Sequence, residues 1–383
     1  MFHQNWILMA IAFNRREWLK TGLLAGTSLP VLQPWQWLDH LRESVPGPSG
    51  KMPIRLNSNE NPFGPSAKAR EAVMAALDEG NRYPRASITK LKEAIAQKEG
   101  VGIDQVLITA GSTEILGLMG LIYGLKGGNI VAGDPTFDYL MIYSEIIGAH
   151  WKRIPLTKDK YFDLDAMGKA VDDQTRLIFI CNPNNPTGTY IPKAEVQAFC
   201  ERYGANTPIF IDEAYIEFTD GGVQNSLMNL VSDNPNIIVG RTFSKVYGLA
   251  GMRIGYALDH PDTIRVMQQF CMGRMITPSV PSMFAAMASM EDIPFTTMTV
   301  EKTIQGKQIV YDFCSREQVS YIPSHTNFIW FEAQRFRGDL VKTMASKDIL
   351  IRSYTDQPGW YRVSIGTPED MHQFTAAAGL ELV

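Results

Sequence analysis

Arg241-Thr-Phe-Ser-Lys245-Val-Tyr-Gly-Leu-Ala-Gly-Met-Arg253-Ile-Gly-Tyr256 decides the reading of this chain. A lysine follows two hydroxyl side chains, Thr242 and Ser244. It lies just past the apolar run Ile237-Ile238-Val239 and enters a glycine-rich loop, with an arginine at 253. A lysine amine that must attack a carbonyl needs an electropositive, partly desolvated setting that lowers its pKa. An arginine and two hydroxyls supply that field, and they also supply donors for a phosphate. Taken alone, the stretch has a second reading, a surface lysine in a turn.

The chain upstream narrows the choice. Asp212 ends the run Pro208-Ile-Phe-Ile211 and opens Asp212-Glu-Ala-Tyr215. An acid at the carboxyl end of a buried strand stands where ligands bind in α/β sheets. Arg176-Leu-Ile-Phe-Ile-Cys181 reads as another buried strand, leading into the rigid turn Asn182-Pro-Asn-Asn185-Pro-Thr-Gly188. Lysine, phosphate donors and a buried acid together meet the needs of pyridoxal 5'-phosphate (PLP). Its aldehyde bonds a lysine, its phosphate must be anchored, and its ring nitrogen must stay protonated to draw in electrons. The amide of Asn185 and the phenol of Tyr215 are candidate donors to the cofactor's ring oxygen. Singly, Asp212 also reads as a helix cap and the Asn-Pro run as an ordinary turn.

Further motifs carry a family resemblance. They are Leu56-Asn-Ser-Asn-Glu-Asn-Pro-Phe-Gly64, Tyr83-Pro84, Gly111-Ser-Thr-Glu114, Asp134-Pro-Thr-Phe137, Asn182 to Gly188, Asp212 to Tyr215, Ser244-Lys245, Arg253 and Arg362-Val-Ser-Ile-Gly366. Together they resemble the fold-type I PLP-dependent aminotransferases of class I/II, and within them the histidinol-phosphate aminotransferase-like group. The resemblance runs over roughly residues 53–375.

The resemblance implies roles. Lys245 is similar to the lysine that carries the cofactor and moves the proton at the substrate's α-carbon. Asp212 resembles the ring-nitrogen partner, and Asn185 and Tyr215 the ring-oxygen donors. Ser244 and Arg253 resemble phosphate ligands, with Thr242 a further candidate. Ser112 and Thr113 open a helix whose backbone N–H groups suit a phosphate. Phe137 resembles the aromatic that stacks on the ring, where many relatives carry tyrosine. Tyr83 resembles the tyrosine lent to the phosphate by a partner subunit, which implies a homodimer. Arg362 resembles the arginine that takes the substrate's anion by a bidentate pair; Arg352 is a second anion contact and Asn59 a substrate-binding residue. The implied substrates are small molecules, an amino donor (an amino acid or a phosphorylated amine) and a 2-oxo acid such as 2-oxoglutarate, with ping-pong kinetics. A PLP-dependent decarboxylase of the same fold and a non-catalytic PLP-binding protein are the alternatives.

Two departures bear on the substrate. The group usually carries a Pro-Tyr motif shortly before Asn-Glu-Asn, whereas Val45-Pro-Gly-Pro-Ser-Gly-Lys-Met-Pro53 has no tyrosine. The approach to Arg362, Gln357-Pro-Gly-Trp-Tyr361, is bulkier than expected.

At the other end, Asn14-Arg15-Arg16-Glu17-Trp18-Leu19-Lys20 precedes the mildly apolar stretch Thr21 to Leu32. This resembles a twin-arginine export signal. It predicts the twin-arginine export machinery as a partner and a periplasmic location, with a cytosolic amphipathic helix and a cytoplasmic enzyme as the alternative. Met9 is an alternative start to Met1. No clean Ala-x-Ala cleavage site follows, and no cysteine that would mark a lipoprotein.

Of 383 residues, 36 are Lys or Arg and 40 are Asp or Glu, interspersed to a net charge of −4, which argues against nucleic acid as a partner. The six histidines and four cysteines show no ligand spacing, so no metal site is expected. Cys181, ending a core strand, reads as a buried thiol; a bridge among the other cysteines stays open. The Met-rich piece Met283 to Met290 reads as core filler. Short apolar strands at 106–109, 129–132, 176–181, 208–212, 237–241 and 254–258 alternate with helices such as 112–123, 137–147 and 192–203, the last with Pro192 in its first turn. That is an α/β pattern, a mainly parallel sheet covered by helices. From about 291 a helix and shorter strands read as a smaller α+β domain. The expected division is a signal segment at 1–45, a large PLP-binding domain at 75–290, and a small domain from 46–74 and 291–383.

Overall fold

The computed structural model describes residues 49–50, 52–271 and 278–382. The chain enters on β1 (Ile54–Arg55) and then lays down β2 (Val106–Thr109), β3 (Asn129–Asp134), β4 (His150–Pro155), β5 (Thr175–Cys181), β6 (Ile209–Asp212), β7 (Ile237–Thr242) and β8 (Gly255–Leu258). Among the described residues β2 to β8 form one seven-stranded sheet in the order β2-β8-β7-β6-β5-β3-β4. Only β8 runs antiparallel to its neighbours. Its central strands are buried along nearly their whole length because helices cover both faces. One face packs the helices Ser112–Gly124, Tyr139–Ile146, Lys193–Tyr203 and Pro261–Phe270 through residues such as Leu116, Met141, Phe199 and Met267. The other packs the helices Arg85–Glu99 and Val280–Met290 through Leu91, Ile95, Met283 and Ala286. Pro192 stands at the cap just outside its helix, where an extended backbone suits it, instead of in the first turn.

A second, four-stranded antiparallel sheet follows from β9 (Tyr321–Ile322), β10 (Phe328–Glu332), β12 (Arg352–Ser353) and β13 (Trp360–Ser364), in the order β12-β13-β10-β9. The short strand β11 (Ile349–Leu350) pairs in parallel with β1. The long helix Ile293–Arg316 and the helix Pro368–Gly379 close a separate core of Leu56, Val310, Phe313, Ile329, Phe331, Val363 and Phe374. The β1 pairing anchors an early segment to the late sheet. Leu56 N–H donates to the Leu350 carbonyl at 2.8 Å, and Ser364 N–H donates to the Leu56 carbonyl at 2.8 Å. The next residues, Asn57 to Asn61, are thereby led from the second sheet onto the strand ends of the first. All four cysteines are free and buried.

Candidate active site

The carboxyl ends of β5, β6 and β7 are in register, with Cys181 beside Asp212 and Asp212 beside Gly240. Asp212 is buried, and its Oδ1 accepts the Ala214 N–H at 3.1 Å. Burial pushes its pKa up to about 6, against the pull of that bond and of Lys245. Lys245 follows β7 and is half-buried. Its amine donates to the Asn59 carbonyl at 3.2 Å and lies 5.4 Å from the centre of the Tyr215 ring. Burial, and then the charge of Arg362, lower its pKa to about 8, with Glu60 and Asp212 opposing. The amine is thus free for part of the time near neutrality, which a nucleophile needs.

Tyr215 is held on two sides. Its ring meets Phe328 edge-on at 5.3 Å, and its oxygen accepts from Asn59 Nδ2 at 2.9 Å. Burial keeps its phenol protonated, well above the ordinary tyrosine range. Because the oxygen is already accepting, its own proton is free to be donated. Asn185 is oriented likewise: its Oδ1 accepts from Arg362 Nη1 at 2.7 Å, which leaves its NH2 as a free donor. Arg362 spends its other terminal nitrogen on the Asn57 carbonyl at 2.7 Å, and its Nε has no partner. The guanidinium sits near the rings of Phe328 and Tyr354, at 5.3 and 5.8 Å. Arg352 stands directly opposite Arg362 across the β12–β13 ladder. Like charges so placed repel, which favours an anion between them.

A third cluster is built for an anion. The helix Ser112–Gly124 starts after Gly111, whose φ is +83°, and no side chain caps its first N–H groups. Arg253 donates to Thr113 Oγ1 at 3.3 Å and to the Ala250 carbonyl at 3.0 Å. A Cβ at Gly111 would lie 2.5 Å from Arg253 Nη2, so glycine is what lets the guanidinium close over the helix start. Thr242 does not add a free donor, because its hydroxyl donates to Ser244 Oγ at 2.9 Å; it also accepts the Ser244 N–H at 3.1 Å. Phe137 stacks on Tyr139 at 4.9 Å.

The residues singled out in the sequence therefore fall into three groups around one set of strand ends. Lys245, Asp212, Tyr215 and Asn59 are linked through contacts and charge, Asn185 joins Arg362, and Arg253 joins Thr113 beside Ser112. Tyr83 stands apart, 83 % exposed. Sequence reasoning missed Asn327, Tyr354 and Ser364 as site residues. Ser364 carried the one usable signal, since two residues beyond Arg362 on a strand places it on the same face. Among the described residues no cluster of metal-ligating side chains occurs. A buried carboxylate, a lysine of lowered pKa and an arginine over an uncapped helix start form a donor set that fits PLP.

A family model for the class I and II aminotransferases matches residues 51–377. The chain is 34 % identical over 318 residues to a histidinol-phosphate aminotransferase of Halalkalibacterium halodurans, covering 82 % of this chain and 85 % of that protein. It is 36 % identical over 347 residues to one of Methanothermobacter thermautotrophicus, covering 86 % and 89 %. The crystal structure of histidinol-phosphate aminotransferase from Sinorhizobium meliloti in complex with pyridoxal-5'-phosphate matches with a TM-score of 0.82 at 26 % identity, over 96 % of this chain and 98 % of that one.

Proposed function

Because this chain belongs to the class I and II aminotransferases, and so is a PLP-dependent aminotransferase, we propose that its amino donor is a phosphorylated amine of the histidinol-phosphate kind and its acceptor a 2-oxo acid such as 2-oxoglutarate. The observation that carries this is Arg362, a buried guanidinium with an unpartnered Nε, facing the lysine and opposed by Arg352. Two arginines at one end of the site suit a dianion better than a single carboxylate. Arg352 would also serve in place of the tyrosine that Val45 to Pro53 lacks.

PLP, when bound, supplies the electron sink that weakens the bonds at the substrate's α-carbon. In this reading Lys245 Nζ would hold the cofactor and, once free, would carry the proton at the substrate's α-carbon. Asp212 would keep the ring nitrogen protonated. Asn185 and Tyr215 would donate to the ring oxygen, and Phe137 would pack against the ring. Arg253, Ser244 and the N–H groups of Ser112 and Thr113 would hold the phosphate, with Thr242 orienting Ser244. Exposed Tyr83 completes the phosphate site of a second copy, so the working unit is a homodimer.

Mixing the holoenzyme with single amino donors tests the substrate. Histidinol phosphate should bleach the visible absorbance and release a carbonyl product, and 2-oxoglutarate should restore the colour. Silence toward histidinol phosphate with response to another donor overturns the donor assignment. Carbon dioxide release would favour the decarboxylase.

The segment Asn14 to Lys20 lies outside the described residues, and among those described no helix is long and apolar enough to cross a membrane. We read that segment as a twin-arginine signal that takes the folded, loaded enzyme to the periplasm. Changing both arginines to lysine (Arg15→Lys, Arg16→Lys) keeps the charge but removes the guanidinium forks. Cell fractionation should then find active enzyme retained in the cytoplasm. An unchanged distribution would mean the motif is coincidental.

A further inference from the structure

Among the described residues, Asn59 alone touches both Lys245 and Tyr215 by hydrogen bonds, and it does so from an unusual backbone. Its φ is +53°, in the left-handed region, where a non-glycine residue needs support from its surroundings. Ser364 of β13 and Asn327, just ahead of β10, give that support. The Ser364 hydroxyl accepts the Asn59 N–H at 2.8 Å and donates to its Oδ1 at 3.1 Å. Asn327 Nδ2 donates to the Asn59 carbonyl at 3.0 Å.

A hydroxyl has a single proton. With that proton on Oδ1, the Asn59 amide can face Tyr215 only with its NH2, as the 2.9 Å contact requires. Tyr215 must then accept, and its own proton is turned into the site. The Asn59 carbonyl, fixed by the same backbone, receives the Lys245 amine beside Asn327. We infer that Ser364 is a positioning residue that, acting through Asn59, sets the direction of the Tyr215 proton and the seat of the Lys245 amine. It rests on the reading of Lys245 and Tyr215 given above. Since Ser364 ends β13, two residues beyond Arg362, the strand that holds the substrate anion also sets the proton donor.

The test is Ser364→Ala in the full-length protein, with Ser364→Thr as the variant that restores the hydroxyl. Freed from Ser364, the Asn59 amide can turn, and the Tyr215 proton can then go to Asn59 instead of the cofactor. A donor to the ring oxygen favours its ionised form, so its loss should raise the pH midpoint of the holoenzyme's visible absorbance. The expected rise is roughly half to one unit, the worth of one net hydrogen bond. In the cofactor-free protein, the pH profile of Lys245 acetylation, read by mass spectrometry, should move the other way. An ammonium that loses an acceptor is harder to keep protonated. The charged groups facing the amine, Asp212, Glu60, Arg253 and Arg362, are the same in every variant. Ser364→Thr should restore both values, and kcat should fall more than KM rises in Ser364→Ala.

A lowered melting temperature with both pH profiles unmoved would overturn the inference. So would additive midpoint shifts from Asn59→Gly, which keeps the left-handed backbone, and Ser364→Ala. If Ser364→Ala does not accumulate folded, Asn59→Gly alone decides, and an unmoved midpoint overturns the inference. Borohydride reduction and peptide mapping of the unmutated holoenzyme separate the two claims. A cofactor found on another lysine refutes the site reading, whereas a cofactor on Lys245 with unmoved profiles refutes only the role of Ser364.

Discussion

Lys245→Ala is expected to lose covalent cofactor attachment and to lower turnover by about 10⁴-fold or more, because in the proposed reading one amine both bonds the cofactor and carries the proton. Borohydride should fix the cofactor to the parent protein, with the label on the peptide holding Lys245, and the variant should take up no label. Lys245→Arg is the informative control. It keeps the positive charge among Asp212, Glu60, Arg253 and Arg362. A guanidinium stays protonated and cannot attack, so this variant should fail as completely as alanine. Substantial turnover in either variant would remove Lys245 from the catalytic role.

The largest expected loss of stability lies one layer behind the site. Arg241 is buried, with Nη1 2.8 Å from Glu213 and Nη2 at 3.9 and 3.7 Å from Glu99 and Glu217. Glu213 also accepts from Ser226 Oγ and Leu227 N–H, and Glu99 from the Tyr256 hydroxyl. Arg241→Leu leaves these buried carboxylates without their cation. Breaking a buried pair in this way costs about 3–5 kcal/mol. The cost should depend on pH in a defined direction. Carboxylates without a cation hold protons more tightly in the folded than in the unfolded chain, as burial already makes Glu217 do. Stability of the variant should therefore fall as pH rises through and above the ordinary glutamate range. Chemical denaturation of parent and variant at acidic and neutral pH checks both points. A loss smaller than about 1 kcal/mol would show that the carboxylates accept solvent or protons without penalty.

The parts that could be read from the sequence were those written in contiguous residues. Ile209 to Ile211 and Ile237 to Val239 are buried on both faces, so they appear as unbroken apolar runs at a spacing that parallel strands demand. The edge strand His150–Pro155 escaped notice because it is largely exposed, and His150, Lys152 and Arg153 break up its few apolar residues. The helices Ala67–Ala76 and Arg85–Glu99 escaped for a related reason: each buries only a narrow stripe, such as Leu91 and Ile95. The reversed direction of β8 has no signature in sequence, since an apolar strand reads the same either way. Within the site, Asp212 and Lys245 were legible from their place after strands. The Ser364 contact was not. Its partner Asn59 is 305 residues away, and the β1–β11 pairing together with the Ser364 N–H to Leu56 carbonyl bond brings the two together.

The four cysteines give the fold one more property. Each is buried and unpaired; burial pushes the thiols of Cys200, Cys271 and Cys314 up to about 12, and it pushes that of Cys181 well above the ordinary thiol range. Thiolate chemistry is therefore closed to all four while the protein is intact. Cys181 lies in the sheet interior and Cys200 on a covering helix, Cys271 ends another helix, and Cys314 belongs to the second core. The chain thus carries its own reporters. The order in which these thiols become alkylated in the native protein would rank the opening free energies of the regions that bury them, and no label needs to be introduced to see it.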